Sequence, residues 1–190
     1  MRTDFREVID HCLGVLRQGG LILYPTDTVW GIGCDATNES AVAKIYTLKQ
    51  RPDSKALICL VSDVAMLERF LRRVPDLAYD IIELSAKPTT IVYDGPRGVA
   101  PKLVAHDDTL GIRVATDPFC KQLIKAFKKP LVSTSANLAG VPTPRSYNEI
   151  GKEILKGVDY IVPLRHQEKN TTPSAIIRLG TDGSVKVIRE

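Results

Sequence analysis

Short apolar runs alternate with stretches of helical periodicity along most of the 190-residue chain. This alternation restricts the fold more tightly than any other feature. Apolar residues recurring three and four positions apart predict an amphipathic helix, and a brief apolar run between turn signals predicts a buried strand. Residues 4–18 fit the first pattern, with Phe5, Val8, Ile9, Cys12, Leu13 and Leu16 on one face. Asp4 and Glu7 form a capping box there, and Gly19-Gly20 ends the helix. Residues 21–24 then predict a buried strand. A second helix carries Ala41, Val42, Ile45 and Leu48 behind a cap at Thr37 or Asn38.

The same alternation continues. Residues 56–61 predict a strand, and Val64, Leu67 and Leu71 mark a helix. Another helix starts near Pro75 with Leu77, Ile81 and Leu84, ahead of strands at 89–93 and 110–115. Asp117-Pro118 supplies a cap and a first-turn proline for a helix bearing Phe119, Leu123, Ile124 and Phe127. Residues 130–134 form a strand, and Ser146 with Glu149 makes a second capping box before Ile150, Ile154 and Leu155. Residues 174–179 and 184–188 read as a hairpin joined through Asp182-Gly183. Alternating elements with an antiparallel end predict an α/β fold, a single domain over residues 1–190 with an open, twisted, mixed sheet and flanking helices.

Composition removes several classes. With 44% hydrophobic and 25% charged residues the chain is neither disordered nor strongly polyionic, and its net charge of +4 suits an anionic ligand without demanding nucleic acid. No apolar run approaches the roughly 20 residues of a membrane span, and the charged start at Arg2, Asp4, Arg6 and Glu7 is unlike a secretory signal, so a cytoplasmic, non-membrane protein is expected. Cys12, Cys34, Cys59 and Cys120 are too scattered for a redox pair and are expected as reduced core residues. His11, His106 and His166 show no zinc spacing, and no metal site is predicted from the protein's own side chains.

Polar residues gather after predicted strands, where open α/β sheets bind ligands. Residues 24–33, Tyr-Pro-Thr-Asp-Thr-Val-Trp-Gly-Ile-Gly, offer hydroxyls, a carboxylate and two glycines, although threonines in a connecting loop also bond their own backbone. Gly31 to Ala36 matches only loosely a dinucleotide fingerprint, being displaced from the strand end, and no phosphate loop of the G-x-x-x-x-G-K-[ST] kind occurs. Lys49, Arg51 and Lys55 place three cations in seven residues at a helix end, which suits phosphate and equally suits the helix dipole. Ser133-Thr134-Ser135-Ala136-Asn137, with Thr143 and Arg145 beyond, completes the set.

At these residues the chain resembles the YrdC-like family of threonylcarbamoyl-AMP synthases. The matching pieces are Tyr24 to Thr28 with Gly31 and Gly33, Lys49 to Pro52 with Lys55, Ile112-Arg113-Val114, Ser133 to Asn137 with Gly140 and Pro142, and Pro173-Ser174. Together they cover roughly residues 10–189 in order. The resemblance implies a concave basic cavity, and condensation of L-threonine, bicarbonate and ATP to threonylcarbamoyl-AMP and pyrophosphate for modification of tRNA. It assigns ATP to Lys49, Arg51, Lys55, Thr109, Ser135, Asn137, Thr143, Arg145 and Arg189, and threonine to Thr28, Arg113, Ser133 and Ser174. It implies Mg2+ accompanying ATP and a downstream threonylcarbamoyl transferase, and it nominates no general base.

Two departures stand out: Leu60 replaces a histidine frequent near the threonine site, and Ser85-Ala86-Lys87-Pro88 replaces a Trp-Pro-Gly segment, which would alter one cavity wall. The chain is expected to be the short, single-domain form, without the further C-terminal domain of longer members. A module that binds RNA, or a regulatory relative without turnover, is the competing reading. Basic runs at Arg69, Arg72, Arg73 and at Lys125, Lys128, Lys129 would support weak contact with tRNA or double-stranded RNA, but there is no aromatic stacking motif.

Overall fold

The computed structural model describes residues 5–50, 57–169 and 172–190. Helix α1 spans Arg6–Arg17 and strand β1 spans Ile22–Tyr24. Gly19 ends the helix at φ 73°, a conformation glycine adopts without steric cost, and the Gly20 amide returns to the Val15 carbonyl. Phe5 occupies the N-cap position without a side-chain cap bond, and the expected Asp4 partner lies outside the described residues.

Strand β2, Gly31–Gly33, falls inside the segment read as a ligand loop. Its glycines disguise it, because glycine inside a strand often marks close approach of another group. A Cβ on Gly33 would sit 2.7 Å from Tyr24 Cε1 and 2.8 Å from the Val132 carbonyl oxygen. Helix α2, Glu39–Lys49, starts at Asn38, whose side-chain oxygen accepts from the Ala41 amide at 3.1 Å, so Asn38 rather than Thr37 is the cap.

Strand β3 is Ile58–Val61, and Ala56 of the expected strand lies outside the described residues. Helix α3, Val64–Arg69, is capped by Asp63, a signal that apolar periodicity alone does not reveal. Helix α4, Asp76–Leu84, departs from its expected core: Ala78 is buried, Ile81 and Ile82 are half-buried, while Leu77 is 39% and Leu84 79% exposed. The small alanine, not the leucine stripe, faces inward.

Strand β4 is Thr89–Asp94 and β5 is Thr109–Val114. Helix α5, Pro118–Phe127, opens with Asp117 accepting from the Cys120 amide at 2.9 Å, as its sequence signature predicts. Strand β6 is Leu131–Ser135. The second capping box is not built. Residues Tyr147–Glu149 form a single 3₁₀ turn without a side-chain cap from Ser146, and Glu149 accepts instead from the Arg145 amide at 2.8 Å. Helix α6, Lys152–Gly157, begins only after Gly151. The two-residue strand β7, Tyr160–Ile161, is too short to leave a pattern; β8, Ala175–Leu179, and β9, Val185–Arg189, form the expected hairpin.

Among the described residues nine strands make one mixed sheet in the order β7-β1-β2-β6-β3-β5-β4-β8-β9. The β3/β5, β4/β8 and β1/β7 pairs are parallel and the others antiparallel. Register puts Ile58 opposite both Gly111 and Ser133, Leu60 opposite Arg113, and Thr90 opposite Ile176. Because side chains alternate between faces, Arg113, Ser133, Ser135, Thr90, Ser174 and Ile176 share one face. Cys59, Val61, Leu110, Ile112 and Val132 point to the other, where α3 and α5 pack on β3. All four cysteines are buried and unpaired in disulfides. No described helix is long and apolar enough to cross a membrane.

Candidate active site

A cavity of about 230 Å³ opens on the Arg113 face of the sheet. Thr28, Val29 and Gly31 line one side, and Ser133, Thr134 and Ser135 of β6 line the adjoining one. Leu57 and Ile58 contribute apolar surface, Arg113 comes from β5, Thr143 from the loop after β6, and Pro173, Ser174, Ile176 and Arg189 from the final β8–β9 hairpin and the residues leading into it. Register explains the gathering, because strands distant in sequence, β2, β3, β5, β6 and β8, are close neighbours in the sheet.

Arg113 is held from behind. Its Nη2 lies 2.9 Å from Asp27 Oδ1 in an ion pair with the arginine side chain only 3% exposed, and Asp27 Oδ2 accepts from the Thr116 hydroxyl at 2.7 Å. Nη1 donates to Thr28 Oγ1 at 3.4 Å, a weak contact, while Thr28 and Thr26 hydroxyls lie 2.9 Å apart and Thr26 donates to the Val29 carbonyl. The loop carrying these groups is braced by the Pro25 carbonyl, which accepts from the Cys120 thiol and from Arg165, itself paired with Asp117 at 2.8 Å. Arg113 Nε is buried and has no partner among the described residues. An unpaired charged donor in a cavity wall is costly unless a ligand accepts from it.

Arg189 approaches the same cavity from β9. Its guanidinium donates to the Ser174 carbonyl at 2.8 and 3.0 Å, and Ser174 and Thr90 hydroxyls lie 2.8 Å apart. Burial, with the Arg113 charge as a second cause, lowers the Arg189 pKa. Two cations turned toward one polar cavity define a site for an anion.

Lys49 works from a different direction. It is 1% exposed, and its ammonium donates to the carbonyls of Ser135 and, at 2.6 Å, Asn137. It thereby ties the end of α2 to the loop after β6. The Asn137 amide nitrogen donates to the Leu138 and Val141 carbonyls, and its buried Oδ1 has no partner among the described residues. Thr143 reaches the cavity, whereas Arg145 is exposed and does not line it. Thr109 stands on the same face of β5 as Arg113, four positions earlier, and its hydroxyl donates to Asp107 at 2.7 Å. Arg51 and Lys55 lie outside the described residues.

Sequence reading passes over Asp27 as a site residue although it stands inside the polar run, and it misses Thr90, Thr116 and Arg165. Thr90 occupies a strand with no polar cluster around it, and Arg165 acts through contacts more than 100 positions away, at Pro25. Nothing local marks either. Leu60 is buried beside Arg113 in register, and Ser85 to Pro88 border a different cavity from this one.

Residues 14–190 match the family model Sua5_yciO_yrdC, described as "Telomere recombination". The chain belongs to this Sua5/YciO/YrdC family. A protein of Stenotrophomonas maltophilia named threonylcarbamoyl-AMP synthase is 38% identical over 159 residues, 81% of this chain and 84% of the relative. The E. coli YciO crystal structure superposes with a TM-score of 0.83 at 28% identity, covering 97% of this chain and 89% of that one. A crystal structure of P. abyssi Sua5 complexed with L-threonine superposes with a TM-score of 0.82 at 25% identity. There the match covers 94% of this chain but 52% of the other, so the present chain spans about half the length of Sua5.

Proposed function

We propose that the chain is a nucleotidyltransferase that condenses L-threonine, bicarbonate and ATP into threonylcarbamoyl-AMP and pyrophosphate. The observation that carries this reading is the pair of arginines, 113 and 189, facing one hydroxyl-lined cavity. Family membership and the threonine-bound relative support it. The reaction joins anionic partners, so cations that offset their charge and align the attack supply the main catalytic effect.

In this reading the threonine carboxylate meets Arg113, whose Nε, without a partner among the described residues, and Asp27-held fork are ready to receive it, with Thr28, Ser133 and Ser174 around the rest of the amino acid. The amine adds to the bicarbonate carbon, water leaves, and a carbamate results. A carbamate oxygen then attacks the α-phosphorus and pyrophosphate departs. Ser135, Thr143 and Arg189 face the nucleotide, which extends along β5 toward Thr109 and past Arg145 at the rim. Arg51 and Lys55 contribute further cations, and Lys49 acts through the carbonyls of the Ser135–Asn137 loop. Magnesium enters with ATP: among the described residues hydroxyls and no carboxylate line the cavity, which suits an ion carried by phosphate oxygens. The product is a reactive mixed anhydride, so a transferase that passes the threonylcarbamoyl group to tRNA in the cytoplasm follows.

The test is pyrophosphate release from magnesium-ATP with threonine and bicarbonate added singly and together. Release that needs both is expected. Folded protein that releases none, yet binds RNA with salt-sensitive affinity, would overturn the assignment in favour of a binding module.

A further inference from the structure

A second cavity, about 200 Å³, lies on the opposite face of the sheet beneath α4. Ile91 of β4 and Val114 of β5 form its floor, since they alternate with Thr90 and Arg113, which point to the first cavity. Ile81 and Ile82 of α4 form a wall. The rim is polar: Ser85 and Lys87 on the turn between α4 and β4, Thr89 at the start of β4, and Thr116 just past β5.

Three observations define what would fit. The volume lies below the roughly 300–1,000 Å³ of sites for drug-sized molecules, so the ligand is small. Its body must be apolar and branched to cover Ile82, Ile91 and Val114. Lys87 is exposed and makes no ion pair among the described residues, so its ammonium is available to a carboxylate at the rim.

The rim also reaches the first cavity. The Thr116 hydroxyl donates to Asp27 Oδ2 at 2.7 Å, and Asp27 Oδ1 holds Arg113 Nη2 at 2.9 Å. Three residues therefore connect the two cavities around the end of β5. A carboxylate seated beside Lys87 competes with Asp27 for the Thr116 proton. When Thr116 turns to it, Asp27 loses one of its two partners and the Arg113 fork loses its fixed backing.

We propose that this cavity binds a small branched aliphatic carboxylate, and that its occupancy weakens threonine binding through Thr116 and Asp27. The second half rests on the assignment of Arg113 to the threonine carboxylate. Coupling between sites is reciprocal, so threonine must weaken the carboxylate by the same factor.

Isovalerate is a suitable probe, with isoamylamine as a control of the same shape and opposite charge. In protein carrying labelled isoleucine and valine methyls, isovalerate should shift the Ile82, Ile91 and Val114 signals saturably. Lys87→Ala, an exposed change, should weaken that binding at least tenfold, and isoamylamine should not bind. Calorimetry should show threonine affinity reduced about fivefold at saturating isovalerate, the low end of usual allosteric coupling. Thr116→Val, which lacks the hydroxyl from the start, should itself bind threonine about fivefold more weakly, still bind isovalerate, and show no further loss of threonine affinity when isovalerate is added. Absence of saturable shifts, or equal shifts from the amine, would overturn the site. Saturable shifts with unchanged threonine affinity would overturn the coupling. Failure of threonine to bind even without isovalerate would instead refute the Arg113 assignment, and the methyl titration would still decide the cavity.

Discussion

Asp27 and Arg113 form an ion pair of 2.9 Å inside the cavity wall, the arginine side chain 3% and the aspartate 14% exposed. The pair spans more than 80 positions of sequence and aims a cation whose Nε has no partner among the described residues. Asp27→Asn preserves the shape and removes the charge. Hydrogen bonds to charged groups contribute about 1.5–3 kcal/mol. The threonine KM should therefore rise by at least about tenfold, with the ATP KM little changed. Steady-state kinetics in each substrate checks this, and an equal rise for both would show that Asp27 supports the whole fold rather than the arginine.

Lys49→Met keeps the bulk of a buried side chain and deletes its ammonium. The Asn137 carbonyl then loses a donor at 2.6 Å, and the loop after β6 keeps the backbone bond from the Ala139 amide to the Lys49 carbonyl but loses its side-chain ties to α2. Leaving a buried acceptor unsatisfied costs about 1–3 kcal/mol. A lower midpoint of denaturant unfolding and a raised KM for ATP are expected together. Unchanged stability with lost turnover would place Lys49 on the phosphates directly.

Asp63 caps α3 through the Met66 amide at 2.8 Å, and that bond, with the Ser62 hydroxyl, holds its pKa below the usual 3.8. The sign follows from proton counting. Below the ordinary value the unfolded chain takes up a proton that the folded one refuses, so stability is full above about pH 4 and is lost as pH falls through the depressed value. Asp63→Ala should cost about 0.5–2 kcal/mol at neutral pH and flatten this acid dependence. Urea melts of both proteins between pH 3 and pH 7 would measure it, and parallel pH curves would remove Asp63 from the account.

Burial pushes the thiols of Cys12 and Cys59 up to about 12, and raises those of Cys34 and Cys120 as well. The thiolate is the reactive form. At pH 8 the native protein should therefore resist aromatic disulfide reagents at all four positions and react fully in denaturant. Rapid labelling of any one in the native state would contradict its buried placement.

Much of this was legible in the chain. The helix at Arg6–Arg17 shows in its apolar spacing, the caps at Asn38 and Asp117 in their local chemistry, and the final hairpin in Asp182-Gly183. Three of the polar clusters contribute to one cavity or its support. Other features were hidden. Strand β2 was masked because its glycines are there for close packing, and the inward face of α4 because a single alanine outweighs a better-spaced leucine stripe.

Sequence alone thus determined the alternation of elements, the mixed α/β class and the residue types able to hold anions, since these depend on interactions within a few positions. Only the tertiary structure decided that Asp27 backs Arg113, that Lys49 grips carbonyls of the Ser135 loop, that Arg189 crosses to Ser174, and that a second cavity meets the first through Thr116. Those relationships depend on strand order and register, which bring residues from distant parts of the chain onto one face and leave no local trace.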